Sequence, residues 1–143
     1  MGDTAFRSRR RLVLGVAASD AHAVANRLIH LMLVQQGFRP HNLGVCTPLA
    51  EFADAAADLD AAAVIVGSVN GHAVEDLRGL PDLRRMGRLR CPVVFGGRPS
   101  IDAAGHPAAR ARLRDLGVDH VLDRPEELPA VLDSILSAAL THA

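Results

Sequence analysis

The sequence contains no tryptophan and no tyrosine, and four phenylalanines supply all of its 3% of aromatic residues. Hydrophobic residues nevertheless make up 49% of the chain, so the core has to be built from leucine, valine, isoleucine and alanine. A length of 143 residues suits one domain with one sizeable core. We therefore predict a single domain over residues 1–143, with its core in about residues 11–140.

Net charge is also lacking, because 16 basic residues are balanced by 16 acidic residues. Such a chain has no strong field to attract nucleic acid or a membrane surface, so neither is predicted as a partner. The one basic run covers residues 7–11. A short arginine run can contact an acidic partner, but at a terminus it is more typical of a solvated segment, and we expect residues 1–10 to be flexible.

Long apolar stretches are missing as well. No stretch reaches the length of a membrane span, and no long apolar segment of a signal peptide follows the N-terminal basic residues. The only cysteines, Cys46 and Cys91, both lie beside apolar runs and are expected to be buried free thiols in a reducing compartment. These features favour a cytoplasmic protein.

Short aliphatic runs alternate with longer amphipathic segments along the chain. The predicted strands cover residues 12–16, 42–46, 62–66, 92–95 and 118–122. Alternating strands and helices predict a parallel sheet with helices on both faces. Right-handed crossovers then favour a flavodoxin-like fold with strand order 2-1-3-4-5, in which ligands bind beyond the carboxyl ends of the strands.

Helical periodicity and capping residues place the helices. The first carries an apolar stripe of Val24, Leu28, Leu31 and Met32 and closes at Gly37. Thr47 is expected to cap the second helix, with Pro48 at its first position. Prolines and a glycine mark three later boundaries: a helix broken or restarted at Pro81, a short helix ended by Gly117, and a last helix opened by Pro125.

The loop after the first strand carries the residues with chemical potential. It lacks the spaced glycines of a dinucleotide site, the Gly-Lys-Ser/Thr of a phosphate loop and the acidic cluster of a phospho-acceptor domain. It has Asp20 and His22 at a strand-to-helix junction. A histidine that binds metal through one nitrogen commonly donates its other N–H to a carboxylate, which orients the ring.

The pair suits one kind of metal better than another. One histidine is too few for zinc, which needs three or four protein ligands. None of the other histidines has ligand-type spacing to His22; they are His30, His41, His72, His106, His120 and His142. The pair therefore fits an axial ligand of a metal held in a macrocycle better than a bare ion. From spacing alone the alternative stays open that Asp20 caps the first helix and His22 is a surface residue. A second short motif, the glycine pair Gly96-Gly97, is either a turn or a point where a ligand approaches the backbone closely.

In this order the motifs resemble those of the cobalamin-binding domain family, in particular the small subunit of glutamate mutase (methylaspartate mutase). The family pattern of Asp-x-His-x-x-Gly, Ser-x-Leu and Gly-Gly corresponds to residues 20–25, 67–69 and 96–97. Flanking stretches at 14–16 (leading into the histidine motif and Asn26), 37–45 and 47–52 are also similar, and the resemblance covers residues 11–137. Ala25 replaces the family's glycine, Gly67 its serine and Val69 its leucine.

The resemblance implies that adenosylcobalamin binds with its own base displaced from cobalt. His22 is then the cobalt ligand and Asp20 its orienter. The implied cofactor-binding residues are Ser19, Asp20, Ala21, His22, Ala23, Val24, Ala25, Gly67, Ser68, Val69, Gly71, Gly96 and Gly97. In the family the serine contacts the dimethylbenzimidazole of the tail. Ser68 points to the opposite face if the backbone is extended, so backbone groups, Ser68 or a different lower base remain alternatives.

The resemblance also implies a function and a partner. The chain is expected to be the cofactor-binding component of an isomerase, with no catalytic residue of its own and a large TIM-barrel subunit completing a hetero-oligomer. Two alternatives remain: a cobalamin carrier, sensor or methyl-transfer module, and a flavodoxin-like regulatory domain that has lost cobalamin. Residues 18–30 are expected to be mobile without cofactor, because an open slot beside the first helix leaves that face poorly packed.

Overall fold

The computed structural model of the chain describes residues 4–141, and His142 therefore lies outside the described part. Its strands are β1 (Arg11–Val16), β2 (Arg39–Asn42), β3 (Ala63–Ser68), β4 (Val93–Gly97) and β5 (His120–Val121). Its α-helices are α1 (Thr4–Arg7), α2 (Ala23–Gln35), α3 (Leu49–Leu59), α4 (Ala73–Asp76), α5 (Leu80–Arg85), α6 (His106–Leu116) and α7 (Leu128–Thr141). All pairings between the strands are parallel, in the order β2-β1-β3-β4-β5, which confirms the predicted fold.

Alternate residues of the central strands face two aliphatic cores. Val64 and Val66 belong to the core formed with α3, α5 and α6, whereas Ala63 and Ile65 belong to the core formed with α2 and α7. By the same alternation Gly67, the next odd-numbered residue of β3, lies on the α2 and α7 face of the sheet. The helices therefore cover both faces, as predicted.

The second strand was predicted wrongly, because it covers Arg39–Asn42 and not residues 42–46. Pairing with β1 ends at Asn42, and the following loop contains Gly44 at φ 85° and Cys46 at φ 52°, which no strand can accommodate. Cys46 lies in this loop and is exposed, so the expectation that this thiol is buried was also wrong. Cys91 is half-buried, and its burial raises the pKa of the thiol.

The boundaries of four later helices agree only partly with prediction. Thr47 does not cap α3: its hydroxyl lies 3.5 Å and 3.4 Å from the carbonyl oxygens of Gly44 and Val45, and the helix begins at Leu49. Pro81 lies in the first turn of α5 and restarts the helix, as predicted. Gly117, at φ 110°, ends α6 as predicted. Pro125 opens a 3-10 turn, Pro125–Glu127, rather than α7 itself.

Helix α2 ends where it was predicted to end but turns a different face to the sheet. Val24, Leu28 and Leu31, which formed most of the predicted stripe, are 75%, 61% and 42% exposed. The helix packs through Leu33, which is buried, together with the half-buried Ile29. Its C-terminal half is thus attached to the sheet, while its N-terminal half borders the cavity described below.

This uneven packing leads to a prediction about α2. In the cofactor-free protein, amide hydrogens over residues 23–29 should exchange markedly faster than those over residues 30–35, because few buried contacts oppose opening of that half. Hydrogen exchange followed by mass spectrometry measures the difference. Equal protection of the two halves would show that the cavity does not weaken the helix.

Within the N-terminal segment, Arg7 packs against the domain. The Arg7 guanidinium donates to both carboxylate oxygens of Asp133, at 2.9 Å and 2.7 Å, and lies 4.6 Å from the ring centre of Phe38. The flexibility expected for residues 1–10 stays a prediction, and residues 1–3 lie outside the described part of the chain. Within residues 4–141, none of the helices combines the length and the apolar character needed to cross a membrane.

Candidate functional site

The carboxyl ends of β1, β3 and β4 border a cavity of about 340 Å³ that lies between the sheet, α2 and the start of α7. Small-molecule sites occupy about 300–1,000 Å³, so the cavity can take a compact ligand group. Eight predicted site residues line it: Asp20, His22, Ala25, Gly67, Ser68, Val69, Gly96 and Gly97. Five do not, namely Ser19, Ala21, Ala23, Val24 and Gly71.

Asp20 lies at the mouth of this cavity and has its side chain fully buried. Its Oδ1 accepts the backbone N–H of His22 at 2.9 Å and also contacts His22 Nδ1. Its Oδ2 accepts the backbone N–H groups of Val69, at 2.6 Å, and Asn70, at 3.2 Å. One carboxylate therefore ties the loop after β1 to the loop after β3.

These hydrogen bonds determine the charge of Asp20. Burial alone raises the pKa of Asp20, but the hydrogen bonds from the Val69 N–H and from His22 outweigh it and bring the pKa below its ordinary value. An ionised carboxylate can only accept, so the proton of the neutral imidazole belongs on Nδ1 and the lone pair on Nε2. The His22 side chain is 62% exposed, which leaves the ring accessible to a ligand.

These contacts bear directly on the alternative that Asp20 caps the first helix. Helix α2 begins at Ala23, with His22 as its N-cap residue, and no side-chain hydrogen bond caps it. Asp20 bonds the N-cap residue and the β3 loop instead of the free N–H groups of the first turn. Its role in the structure is to hold His22 and two loops together. Among residues 4–141, no three His, Cys, Asp or Glu side chains come together in a way that could hold a bare metal ion.

Two polar side chains that the sequence did not single out, Asn70 and Asp76, fix the histidine loop further. The hydroxyl of Ser19 donates to Asp76 Oδ2 at 2.6 Å, and Asn70 Nδ2 donates to the Ser19 carbonyl at 2.9 Å. The hydroxyl of Ser68 contacts Asn70 Oδ1 at 3.2 Å. No spacing rule identifies Asp76, because its partner Ser19 lies 57 positions away in the chain.

The predicted glycines differ in what they do. At Gly97 φ is 126°, and a Cβ there would lie 2.0 Å from the Ser68 carbonyl oxygen, so only glycine fits. Gly96 has no atom within 4 Å of a Cβ position, and at Gly67 the nearest atoms are backbone oxygens at 3.8 Å and 3.9 Å. These two glycines leave open space along the cavity. Gly71, at φ 88°, packs tightly against Ile101 instead.

Helix geometry and topology explain the other differences between prediction and cavity. Ala21, Ala23 and Val24 are exposed at the start of α2. Arg98, Asp123 and Arg124 line the cavity but were missed. They directly follow β4 and the strand segment around β5, so the rule that ligands bind at carboxyl ends of strands would have found them.

The comparison with known families decides the classification of the chain. Residues 10–131 match the family model described as the B12 binding domain. The chain belongs to the B12-binding domain family. The cavity at the carboxyl ends of β1, β3 and β4 agrees with membership of a ligand-binding family.

Two relatives of this B12-binding domain carry a common name. The glutamate mutase sigma subunit of Halobacterium salinarum is 39% identical over 124 residues, covering 87% of this chain and 83% of the relative. The glutamate mutase sigma subunit of Carboxydothermus hydrogenoformans is 46% identical over 120 residues, covering 81% and 88%. The similarity therefore extends over most of both partners in each comparison.

Solved structures share the fold of this B12-binding domain. A cobalamin-binding protein from Desulfitobacterium hafniense has a TM-score of 0.73 at 20% identity, and covers 90% of this chain. The chain spans 60% of that protein's length. The methanol:cobalamin methyltransferase complex of Methanosarcina barkeri also has a TM-score of 0.73, at 15% identity, covering 89% of this chain and 46% of that one. At these identities the likeness concerns the fold alone.

Proposed function

We propose that the chain is the cobalamin-binding small subunit of an isomerase of the glutamate mutase type. The observation that carries the proposal is the Asp20–His22 pair, whose buried carboxylate orients an accessible imidazole beside an apolar cavity. The two glutamate mutase sigma subunits described above support the choice of enzyme. Each further step of the proposal follows from the residues around the pair.

The residues around the cavity fit a base-off cobalamin. His22 would hold the cobalt through Nε2, the nitrogen that the contact with Asp20 leaves free, and Asp20 would orient the ring through Nδ1. Gly67 and Gly96 leave room for a flat ring system between sheet and helix. An orphaned polar atom, Nδ2 of Asn26, is shielded from solvent in the cavity wall, as expected of a site that a ligand completes.

The chemistry and the partner follow from this assignment. When bound, adenosylcobalamin supplies a cobalt–carbon bond that breaks homolytically, while the protein binds and orients it. Radical chemistry needs water kept away, and one small α/β domain covers only one side of a corrin. We therefore propose a separate catalytic subunit with a TIM-barrel fold, which holds the substrate residues and forms a hetero-oligomer with this chain.

A second candidate is a cobalamin carrier or methyl-transfer module without mutase activity. It is favoured by the tail end of the cavity, where Gly67 lacks the hydroxyl of the family's serine and Ser68 contacts Asn70 instead. Such a module needs cobalamin binding but no barrel subunit. Turnover of glutamate to methylaspartate, seen only when this chain is mixed with a co-purifying barrel subunit, selects the first candidate; binding without any such turnover selects the second.

Replacing His22 tests the binding proposal. Titration with adenosylcobalamin and methylcobalamin, followed by ultraviolet–visible absorption, should give the spectrum of nitrogen-ligated cobalt with the wild type, because the imidazole replaces the base of the cofactor. His22→Ala should change that spectrum and weaken binding by at least about tenfold, since even residues that merely orient metal ligands contribute about 10–100-fold. His41→Ala, which alters an exposed histidine of the edge strand β2, is the matched control and should behave as wild type.

Two results would contradict the binding proposal. If the wild type binds neither cobalamin, the chain is a flavodoxin-like domain without this cofactor. If His22→Ala gives the wild-type spectrum and affinity, His22 is not the axial ligand, and the Asp20–His22 pair has a structural role only.

A further inference from the structure

Asn26 is the polar residue on the inner face of α2, and it lines the cavity between Ala25 and Ile29. Its Oδ1 accepts a hydrogen bond from Asn42 Nδ2 at 2.8 Å. The Asn42 Oδ1 in turn accepts the backbone N–H of Gly44 at 2.9 Å. Because a backbone N–H can only donate, this chain of bonds fixes the orientation of both amides and turns the NH₂ group of Asn26 away from Asn42.

That NH₂ group lacks a partner among residues 4–141 and is shielded from solvent. Buried amide groups in native proteins almost always have a hydrogen-bond partner, since an unpaired one retains the cost of losing water. An orphaned donor in the wall of a ligand cavity therefore points to an acceptor on the ligand. The acceptor has to lie in the part of the cavity that Asn26 lines together with Ala25 and Ile29.

The opposite wall of the cavity has lost such a donor. Gly67 stands where the family pattern has a serine, and it lies on the face of β3 turned toward α2 and α7. The hydroxyl of Ser68 follows on the other side of the strand, where it contacts Asn70. Between the sheet and α2, the cavity therefore offers a buried amide donor from the helix side, at Asn26, and none from the side chain at Gly67; the other donors in its lining belong to Arg98 and Arg124.

We propose that Asn26 donates a hydrogen bond to the nucleotide tail of cobalamin and so takes over the task of the missing serine hydroxyl. This inference rests on the proposed function. The acceptor is a ring nitrogen of the lower base, because a base released from cobalt presents the nitrogen lone pair that the metal otherwise occupies. Asn26 is thus a positioning residue that selects corrinoids with a nitrogen-containing tail.

Corrinoids with and without the tail test the inference. Dissociation constants are measured for cobalamin and for cobinamide, which lacks the nucleotide tail. Asn26→Asp keeps an acceptor for Asn42, removes the donor and adds a carboxylate charge, while Asn26→Ala removes donor and acceptor without adding a charge and introduces a helix-favouring residue. Both variants should bind cobalamin about tenfold more weakly than wild type, the usual effect of one hydrogen bond to a buried donor, and should bind cobinamide within about twofold of wild type.

Two further variants separate recognition of the tail from a structural role. Asn42→Ala breaks the same Asn26–Asn42 bond and frees the orientation of the Asn26 amide but leaves its donor in place, so cobalamin affinity should fall clearly less than in the two Asn26 variants. Adding Gly67→Ser to Asn26→Ala should restore most of the lost affinity, because a Cβ at Gly67 meets nothing closer than 3.8 Å.

The outcomes that overturn the inference differ from those that overturn the proposed function. Unchanged preference for cobalamin over cobinamide in both Asn26 variants would overturn only the role of Asn26, provided that the wild type binds cobalamin through His22. An equal loss with Asn42→Ala would do the same, since the bond between the two asparagines would then explain the effect. Absence of cobalamin binding by the wild type would overturn both.

Discussion

Gly97→Ala is expected to lower the free energy of unfolding by about 4 kcal/mol, a large share of the stability of a domain of this size. The added methyl group would lie 2.0 Å from the carbonyl oxygen and 2.8 Å from the carbonyl carbon of Ser68. Both are backbone atoms of β3, which pairs with β4 at this position, so neither can move aside cheaply. The φ of 126° adds strain for any residue with a side chain.

Gly96→Ala is the matched control for this prediction. The two glycines are neighbours, but a methyl group at Gly96 has no atom within 4 Å, so stability should change by no more than about 0.5 kcal/mol. Urea unfolding followed by far-ultraviolet circular dichroism compares the variants, since the chain has no tryptophan for fluorescence. Equal stability of the two variants would show that β3 and β4 do not meet at Gly97 as described.

Asp20→Asn is expected to lower the free energy of unfolding by about 3 kcal/mol at neutral pH, because a buried hydrogen-bonded charge is lost and an amide group faces backbone N–H donors. Both carboxylate oxygens are engaged, one by His22 and the other by Val69 and Asn70, and an amide can accept at only one of them. Asp76→Asn is the control. It alters a carboxylate bonded to Ser19 in the same loop cluster but leaves Asp20 in place, so it should cost less than about 1 kcal/mol.

Acidification should remove this difference between wild type and Asp20→Asn. The pKa of Asp20 is lowered in the folded protein, so its contribution to stability is fully present above the unfolded carboxyl pKa of about 3.9. The contribution is lost as the pH falls through the lower, folded pKa. Urea unfolding as a function of pH measures the change; a stability gap that persists below both pKa values would mean that the ionised form is not what stabilises the loops.

The fold was predictable because its central strands carry their own signal. Residues 62–66 form a continuous apolar run, which is typical of a strand buried on both faces. Strand β3 covers most of this run. Edge strand β2 has an exposed and polar pattern, whereas the apolar stretch that begins at its last residue, residues 42–46, has the pattern that predicts a strand. The packed face of helix α2 was predicted wrongly for a related reason. Leu33 marks its packed face, whereas the more regular set of Val24, Leu28 and Leu31 faces outward.

The site was predictable where a short motif contains both partners. Asp20 and His22 lie two positions apart, and the structure brings them into contact. The N–H groups of Val69 and Asn70 reach the same carboxylate from 49 and 50 positions away, and only the register of the sheet brings them there. The free donor of Asn26 is likewise a property of the folded network, because it follows from the hydrogen bond that Gly44 makes to Asn42.

The identity of the cobalt ligand is the central claim, and electron paramagnetic resonance of the cobalt(II) form of bound cobalamin tests it most directly. The unpaired electron couples to the nucleus of an axial nitrogen, and that coupling changes from a triplet to a doublet when the heavy nitrogen isotope replaces the ordinary one. Protein grown with histidine labelled by the heavy isotope, bound to unlabelled cobalamin, should therefore show the doublet. A triplet that persists in the labelled protein would mean that the cofactor keeps its own base on cobalt and that His22 is not its ligand.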